Sequence, residues 1–308
     1  VRRPVIVLAL TALLSACGGT AHPAAGLTPT PTVSARATTG VTTGVTTRAT
    51  PGVTKAIVFV VENHSLAQMR AGMPKTYSFA TQHAYATDYT AIRHPSLPNY
   101  LAITAGSTLG VADDANPSAH RLTGNNVFRQ ARLAGKKAKL YADAMPGTCH
   151  LTNAGTYAVR HNPWAYFVKD RAACRKHDVS AGRLRRDAAA GRLPNLGFVI
   201  PDVIHDAHDG TLGQADAWIS SRIAMLTAGP DWQAGRLAIV VTADEDDNHS
   251  GNRVLTIVAT KDQTPAVVTT PLNHYSLTGF LEDVLGVKHL RHARTAPSLT
   301  KAFGIQVG

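Results

Sequence analysis

The stretch Ala56-Ile57-Val58-Phe59-Val60-Val61, followed at once by Glu62-Asn63-His64-Ser65, decides the fold. Six apolar, mostly β-branched residues without polar alternation form the pattern of a strand buried on both faces of a sheet. Similar runs occupy Lys137–Tyr141, Gly197–Ile200, Leu237–Thr242 and Val254–Ala259. Between the strands lie helical patterns over Asn126–Leu133, Ala181–Ala190 and Ala215–Leu226, with another over His274–Leu285 after the last. This last is the clearest: Leu277, Phe280, Leu281, Val284 and Leu285 share one helical face, and Gly286 ends it. Alternation of strand and helix predicts an α/β fold with a mostly parallel sheet and helices on both faces. Asp143–His177 has little period and reads as a long insertion or cap near the site.

Composition narrows the class further. Of 308 residues, 44% are hydrophobic, which excludes disorder throughout. No glycine-every-third or heptad period appears, and no apolar run reaches the roughly 20 residues of a membrane-spanning helix. Of the formal charge of +11, Arg2, Arg3, Arg36 and Arg48 lie before residue 54, which leaves the domain about +7, a modest excess that reads as attraction to anionic substrates or lipid surfaces or as ordinary colloidal charge. It comes without a nucleic-acid-binding signature, so no nucleic-acid partner is expected.

In a parallel sheet, chemistry gathers at the carboxyl ends of the strands. Three apolar strands here run into oxygen- and imidazole-rich segments. They are Glu62-Asn63-His64-Ser65, Pro201-Asp202-Val203-Ile204-His205-Asp206-Ala207-His208-Asp209, and Asp244-Glu245-Asp246-Asp247-Asn248-His249. So many carboxylates in one place repel unless a cation or hydrogen bonds compensate. A fourth segment, His94-Pro95-Ser96-Leu97-Pro98-Asn99-Tyr100, opens a helix that Gly106 closes. Ser96 is expected as the N-cap, its hydroxyl where helix-start N–H groups favour an anion. A serine there, beside a divalent cation, attacks phosphorus. Other schemes lack support: there is no G-x-S-x-G elbow, no G-x-x-x-x-G-K-[ST] loop, no G-x-G-x-x-G after a strand and no H-E-x-x-H.

The motifs ENHS, HPSLPNYLAITAG, PDVIHDAHDG, VTADEDD and NHYSLTGFLEDVLGV, in this order from Lys55 to Val287, resemble the bacterial phosphoesterase family. That family holds phospholipase C and acid phosphatase enzymes and belongs to the alkaline phosphatase superfamily. The resemblance implies a three-layer α/β/α sandwich. It implies that Glu62 and Asn63 are one metal-binding pair and Asp244 and Glu245 another, with Ser96 as a nucleophile that also touches metal. Asn99 then hydrogen-bonds the phosphoryl oxygens, His205 and His208 bind phosphate or a further metal, and His274 assists from the closing motif. The cofactor implied is a divalent cation. Oxygen ligands suit Mg, Mn or Ca, and imidazole suits Zn. The domain is short beside the phospholipase C members, which favours an acid phosphatase or small phosphodiesterase working through a phosphoserine. Phospholipase C action on head groups is the alternative. A non-catalytic surface lipoprotein that binds a partner or an anionic glycan is the alternative of another class. Tyr100, four residues after Ser96, stands where sulfatases need arginine, which argues against sulfate esters.

His205 or His208 is the expected proton donor to the leaving oxygen. His94 is a candidate phosphate contact, and His64 and His249 adjoin expected ligands. His22, His83, His120, His161, His177, His289 and His292 read as surface or core residues.

The N-terminus reads as a leader. Arg2 and Arg3 precede an apolar stretch from Val5 to Leu14, and Leu14-Ser15-Ala16-Cys17 resembles a bacterial lipobox with Cys17 lipidated. A plain signal peptide containing a cysteine is the alternative. Residues 18–53, rich in Thr, Pro and Gly, read as a disordered tether, and 54–308 as the phosphoesterase domain. The expectation is an exported monomer of the cell envelope, lipid-anchored to the outer face of the membrane, or secreted. With Cys17 lipidated, Cys149 and Cys174 remain as a pair for a disulfide in an oxidising compartment.

Overall fold

The computed structural model describes residues 52–308. The leader, Cys17 and all but the last two tether residues lie outside the described residues. Among the described residues there are ten strands: β1 Lys55–Val61, β2 Ala84–Ala86, β3 Tyr89–Thr90, β4 Ala138–Ala142, β5 Asp178–Ser180, β6 Leu196–Ile200, β7 Leu237–Ala243, β8 Thr256–Ala259, β9 Ala266–Val268 and β10 Leu272–Asn273. Eight form one sheet in the order β5-β4-β6-β1-β7-β8-β2-β9. All pairings in it are parallel except those of β8, which runs against both β7 and β2. Helices that contact one another fall into two sets. One gathers around Leu212–Thr227, the other around His274–Leu285. With the sheet between them they make the expected three-layer α/β/α sandwich.

The central strands are buried because their sequences have no polar face. β6 and β7 are buried along their whole length, and β1 at every residue after Lys55. Register then positions the chemistry. Val61 of β1 pairs with Ala243 of β7, and the Asp244 amide donates to the Val61 carbonyl (2.9 Å). Glu62 and Asp244 therefore leave neighbouring strands at one level. Ala142 of β4 pairs with Ile200 of β6, which releases Asp143 beside Pro201-Asp202. The small β3–β10 sheet sets Tyr89 opposite Leu272, one turn of chain from His274.

The helix Ser96–Ala105 differs from expectation at its start. Pro95 is the N-cap and Ser96 is already the first helical residue, so the hydroxyl is not spent on capping. Its end is as expected: Gly106 takes φ 64° as C-cap. A Cβ on Gly106 would meet the Leu290 carbonyl oxygen at 2.7 Å. The helix His274–Leu285 ends at Gly286 with φ 63°, as its sequence requires. Cys149 and Cys174 are disulfide-bonded with Cα atoms 5.3 Å apart, tying down the cap segment. That segment supplies the short 3-10 turns Val159–His161 and Pro163–Tyr166, held by Trp164 stacked on Phe128 at 4.3 Å.

Candidate active site

The Ser96 hydroxyl donates to Glu62 Oε2 at 2.9 Å. The other oxygen, Oε1, accepts from the Tyr100 hydroxyl, one helical turn beyond Ser96. Tyr100 remains a protonated donor, because burial and the nearby Glu62, Asp244 and Asp206 raise its pKa well above the phenol range. Asn63 takes φ 58°, a left-handed conformation that asparagine tolerates, and this turns its N–H onto Asp244 Oδ1 at 3.0 Å. Four of the expected residues, Glu62, Asn63, Ser96 and Asp244, thus meet at one point. Glu245 joins them through Asn99, whose Nδ2 donates to Glu245 Oε2 at 2.9 Å.

Behind this point lies a residue that the sequence reading set aside. His161, 1% exposed, stands between two carboxylates, Nε2 3.1 Å from Glu62 Oε2 and Nδ1 3.0 Å from Asp206 Oδ2. Its ring stacks on Tyr100 at 5.4 Å. Burial pulls the imidazole pKa down, but Glu62 and Asp206 outweigh it and raise it to about 9. Burial likewise pushes Glu62 up, and His161, Tyr100 and Ser96 together bring it to about 2. The pair is a buried ion pair. By contrast, burial and then Glu62 push Asp244 well above its ordinary range and Glu245 to about 8. One buried imidazolium does not balance four neighbouring carboxyls.

That imbalance tests whether a divalent cation fits. Asp244 Oδ2 and Asp206 Oδ2 are buried and accept no hydrogen bond from the described residues. Both His161 nitrogens lie beside carboxylates but off the hydrogen-bond line. Buried oxygens without donors cost free energy unless a cation or proton meets them. The donor set that lies together is Glu62, His161 and Asp206, with Asp244 close by at the Asn63 N–H. The first three present ligand atoms all within 4.8 Å of one another.

Other expected residues stand elsewhere. His274 is fully buried: Nε2 donates to the Asp244 carbonyl at 2.6 Å and Nδ1 accepts from the Tyr89 hydroxyl at 3.0 Å. Burial lowers it to about 4, so the ring is neutral and holds the Asp244 backbone rather than facing substrate. Asn99 is saturated. Its Oδ1 accepts from the Ile92 and Arg93 amides, and its Nδ2 serves the Arg93 carbonyl and Glu245. It positions Glu245 and the loop before Ser96. His94 bridges Glu245 Oε1 (3.0 Å) and Asp246 Oδ1 (3.1 Å). His208 Nε2 faces the Arg160 guanidinium at 3.0 Å. Arginine only donates, so this nitrogen is an acceptor, and the ring proton on Nδ1 goes to Asp209 at 2.6 Å. His205 differs. Its Nδ1 lies 2.8 Å from Asp202 Oδ1 and 3.1 Å from Asp143 Oδ2, which leaves Nε2 free. The ring is 37% exposed and stacks on Trp218 at 5.7 Å.

The sequence reading missed His161, Tyr100, Asp206, Asp143, Asp114 (whose Oδ1 accepts the Leu97 N–H at 2.8 Å) and Arg160 as neighbours of these residues. The first and last lie in the aperiodic cap, where no spacing marks them. The weak signal was the cap itself, a long insertion following the β4 strand end.

The family match defines the class, a hydrolase of phosphoric esters. The Phosphoesterase family model matches residues 59–288, and the chain belongs to that family. A phosphatidylinositol-3-phosphatase of Mycobacterium tuberculosis is 30% identical over 255 residues, covering 80% of this chain and 82% of the relative. A phosphate-repressible acid phosphatase of Penicillium chrysogenum is 27% identical over 188 residues, 56% of this chain. The match spans only 43% of that fungal enzyme's length. Among solved structures, an alkaline phosphatase superfamily protein from Vibrio parahaemolyticus superposes with TM-score 0.55 at 12% identity, covering 82% of this chain and 72% of that one. A lipoteichoic acid synthase from Listeria monocytogenes superposes with TM-score 0.57 at 8% identity, covering 80% and 77%. At such identities the likeness speaks for the fold alone. Membership in a family of esterases removes the non-catalytic lipoprotein reading.

Proposed function

We propose that the protein is a cation-dependent phosphomonoesterase in which Ser96 accepts the phosphoryl group. The observation that carries this is the Ser96 hydroxyl, free of any capping duty and hydrogen-bonded to Glu62. Ser96 Oγ forms a bond to phosphorus as the bond to the alcohol oxygen breaks. The hydroxyl proton leaves along its hydrogen bond to Glu62, which Tyr100 and His161 hold in place. Asp244, Glu245, Asn63 and Ser96 would hold a divalent cation, which would supply positive charge to ease ionisation of the hydroxyl and withdraw electron density from the ester. His205, oriented by Asp143 and Asp202, gives a proton from Nε2 to the departing alcohol and takes one from the water that later cleaves the phosphoserine. The names of the mycobacterial and fungal relatives denote phosphatases, and this supports a monoester. The mycobacterial one adds a lipid-borne phosphate, the 3-phosphate of a phosphoinositide, as a substrate to test.

The test is hydrolysis of 4-nitrophenyl phosphate and of bis(4-nitrophenyl) phosphate by the full chain, stripped by EDTA and reloaded with Mg, Mn, Ca or Zn. Activity should depend on added cation and favour the monoester. Ser96→Ala should lower kcat by about four orders of magnitude. Full activity in the stripped protein, or in that variant, refutes the proposal.

A further inference from the structure

Contacts around Ser96 close into a ring. Ser96 Oγ meets Glu62, Glu62 meets His161, and the His161 ring lies 5.9 Å from that of His208. His208 Nε2 accepts from Arg160 at 3.0 Å, Arg160 Nε stands 3.8 Å from Asp114 Oδ2, and Asp114 Oδ1 accepts the Leu97 N–H at 2.8 Å. Leu97 directly follows Ser96, so the circuit ends where it began.

One member sits oddly for its chemistry. The Leu97 N–H belongs to the donors at the start of the Ser96 helix that have no carbonyl partner within the helix, next to the nucleophile. A phosphoryl oxygen approaching Ser96 needs such a donor, yet a carboxylate occupies it. Asp114 adds a negative charge to a centre already built from Glu62, Asp244 and Glu245. It is also loosely kept. It lies in a loop with no helix or strand, its side chain is 32% exposed, and its cationic partner stands beyond hydrogen-bond reach. Arg160 is the complement. It is the one guanidinium in the ring, its side chain is 17% exposed, and among the described residues it makes a single hydrogen bond. A largely buried guanidinium with unspent donors beside a nucleophile is a receptor for a phosphate oxygen pair.

We infer that in the free enzyme the Asp114 carboxylate occupies the seat of a substrate phosphoryl oxygen, and that a phosphomonoester displaces it to engage the Leu97 N–H and Arg160. Arg160 then reads the second negative charge that a monoester carries and a diester lacks. The inference rests on the phosphate-ester reading of the same site and deepens it: it names the residues that set monoester over diester preference. The two residues carry opposite signs. Asp114 competes with the substrate, and Arg160 attracts it.

Two substitutions separate them. Asp114→Asn keeps an oxygen for the Leu97 N–H and drops the charge, while Arg160→Met keeps length and drops the charge. Calorimetric titration with inorganic phosphate, on cation-loaded protein, should show several-fold tighter binding for Asp114→Asn. Arg160→Met should bind about tenfold more weakly, the scale of one charge-assisted hydrogen bond. In turnover, Asp114→Asn should lower the monoester KM. Arg160→Met should lower the ratio of monoester to diester kcat/KM about tenfold, and Arg160→Lys should restore part of it. An unchanged ratio and phosphate affinity in Arg160→Met overturns the inference. So does weaker phosphate binding in Asp114→Asn, which would make Asp114 a support rather than a competitor. If the wild type splits neither ester, the phosphoesterase reading of Ser96 fails. The titration arm, which needs no turnover, still decides whether Asp114 and Arg160 form an anion seat.

Discussion

Two clusters in this molecule have the same composition, two carboxylates and one histidine, and opposite character. Glu62, His161 and Asp206 are sealed from solvent, and their buried polar atoms are not all matched by hydrogen bonds. Asp143, Asp202 and His205 are partly open, and their carboxylates are well supplied. Trp218 Nε1 donates to Asp143 at 3.0 Å, and Thr156 and two backbone amides serve Asp202. The sealed cluster locks charge and holds Glu62 against the Ser96 hydroxyl. The open cluster fixes one imidazole nitrogen and presents the other. Burial and hydrogen-bond supply, not residue type, separate a locked ion pair from an imidazole with one nitrogen presented.

The contrast can be broken most forcefully at His161. His161→Ala leaves Glu62 and Asp206 buried without their cation and should cost about 3–5 kcal/mol of stability. Thermal melting of the metal-free protein should fall by roughly 10 °C. An unchanged melt would mean that the cluster is not a charge-locked framework. His205→Ala should do the reverse, leaving the melt within about 2 °C while lowering kcat on an alkyl phosphate about 100-fold. The loss should shrink on 4-nitrophenyl phosphate, whose leaving group needs less protonation. Equal losses on both esters would remove His205 as proton donor. Asp143→Asn, which weakens the hold on His205 Nδ1, should reduce kcat about tenfold with little change in KM.

The fold was legible in the sequence because its signal is strong and local. AIVFVV and LAIVVT have no polar face, so they must be central strands, and the residues that follow them must stand at the sheet's active end. The placement of Glu62, Asp244 and Glu245 beside one another was readable for that reason, and Ser96 from the helix that opens at it. His161 and Arg160 were not. They lie on a 3-10 turn in a segment without period, and only the tertiary path of the cap brings them against Glu62 and Asp114. Asn99, His208 and His274 were read in the right region, but hydrogen-bond saturation is a property of the folded state and no spacing reveals it. The N-cap misplacement at Ser96 has the same origin: Pro95 can take the extended cap conformation, and the serine hydroxyl has a stronger acceptor in Glu62.

The smallest predicted effect concerns pH. His161 is raised from 6.5 to about 9, so its stabilisation is complete below pH 6.5 and fades as pH rises through 9. Burial raises Glu245 from 4.5 to about 8, so the folded state keeps a proton that the unfolded chain releases, and stability again falls as pH rises. Glu62, lowered to about 2, acts only at the acid end, its contribution present above 4.5 and lost as pH falls through 2. Chelated protein should therefore melt a few degrees higher at pH 6 than at pH 9, and a divalent cation should narrow that gap by replacing protons on Asp244 and Glu245. A melt that rises between pH 6 and pH 9 under chelation contradicts the sealed-cluster account.

The most direct measurement is acid quench of the cation-loaded enzyme during turnover of 4-nitrophenyl phosphate, followed by peptide mass analysis. The account predicts one phosphoryl group on the peptide that contains Ser96 and none in Ser96→Ala. Steady turnover with the phosphoryl group on another residue, or with no phosphoenzyme and inverted stereochemistry at phosphorus, would contradict it.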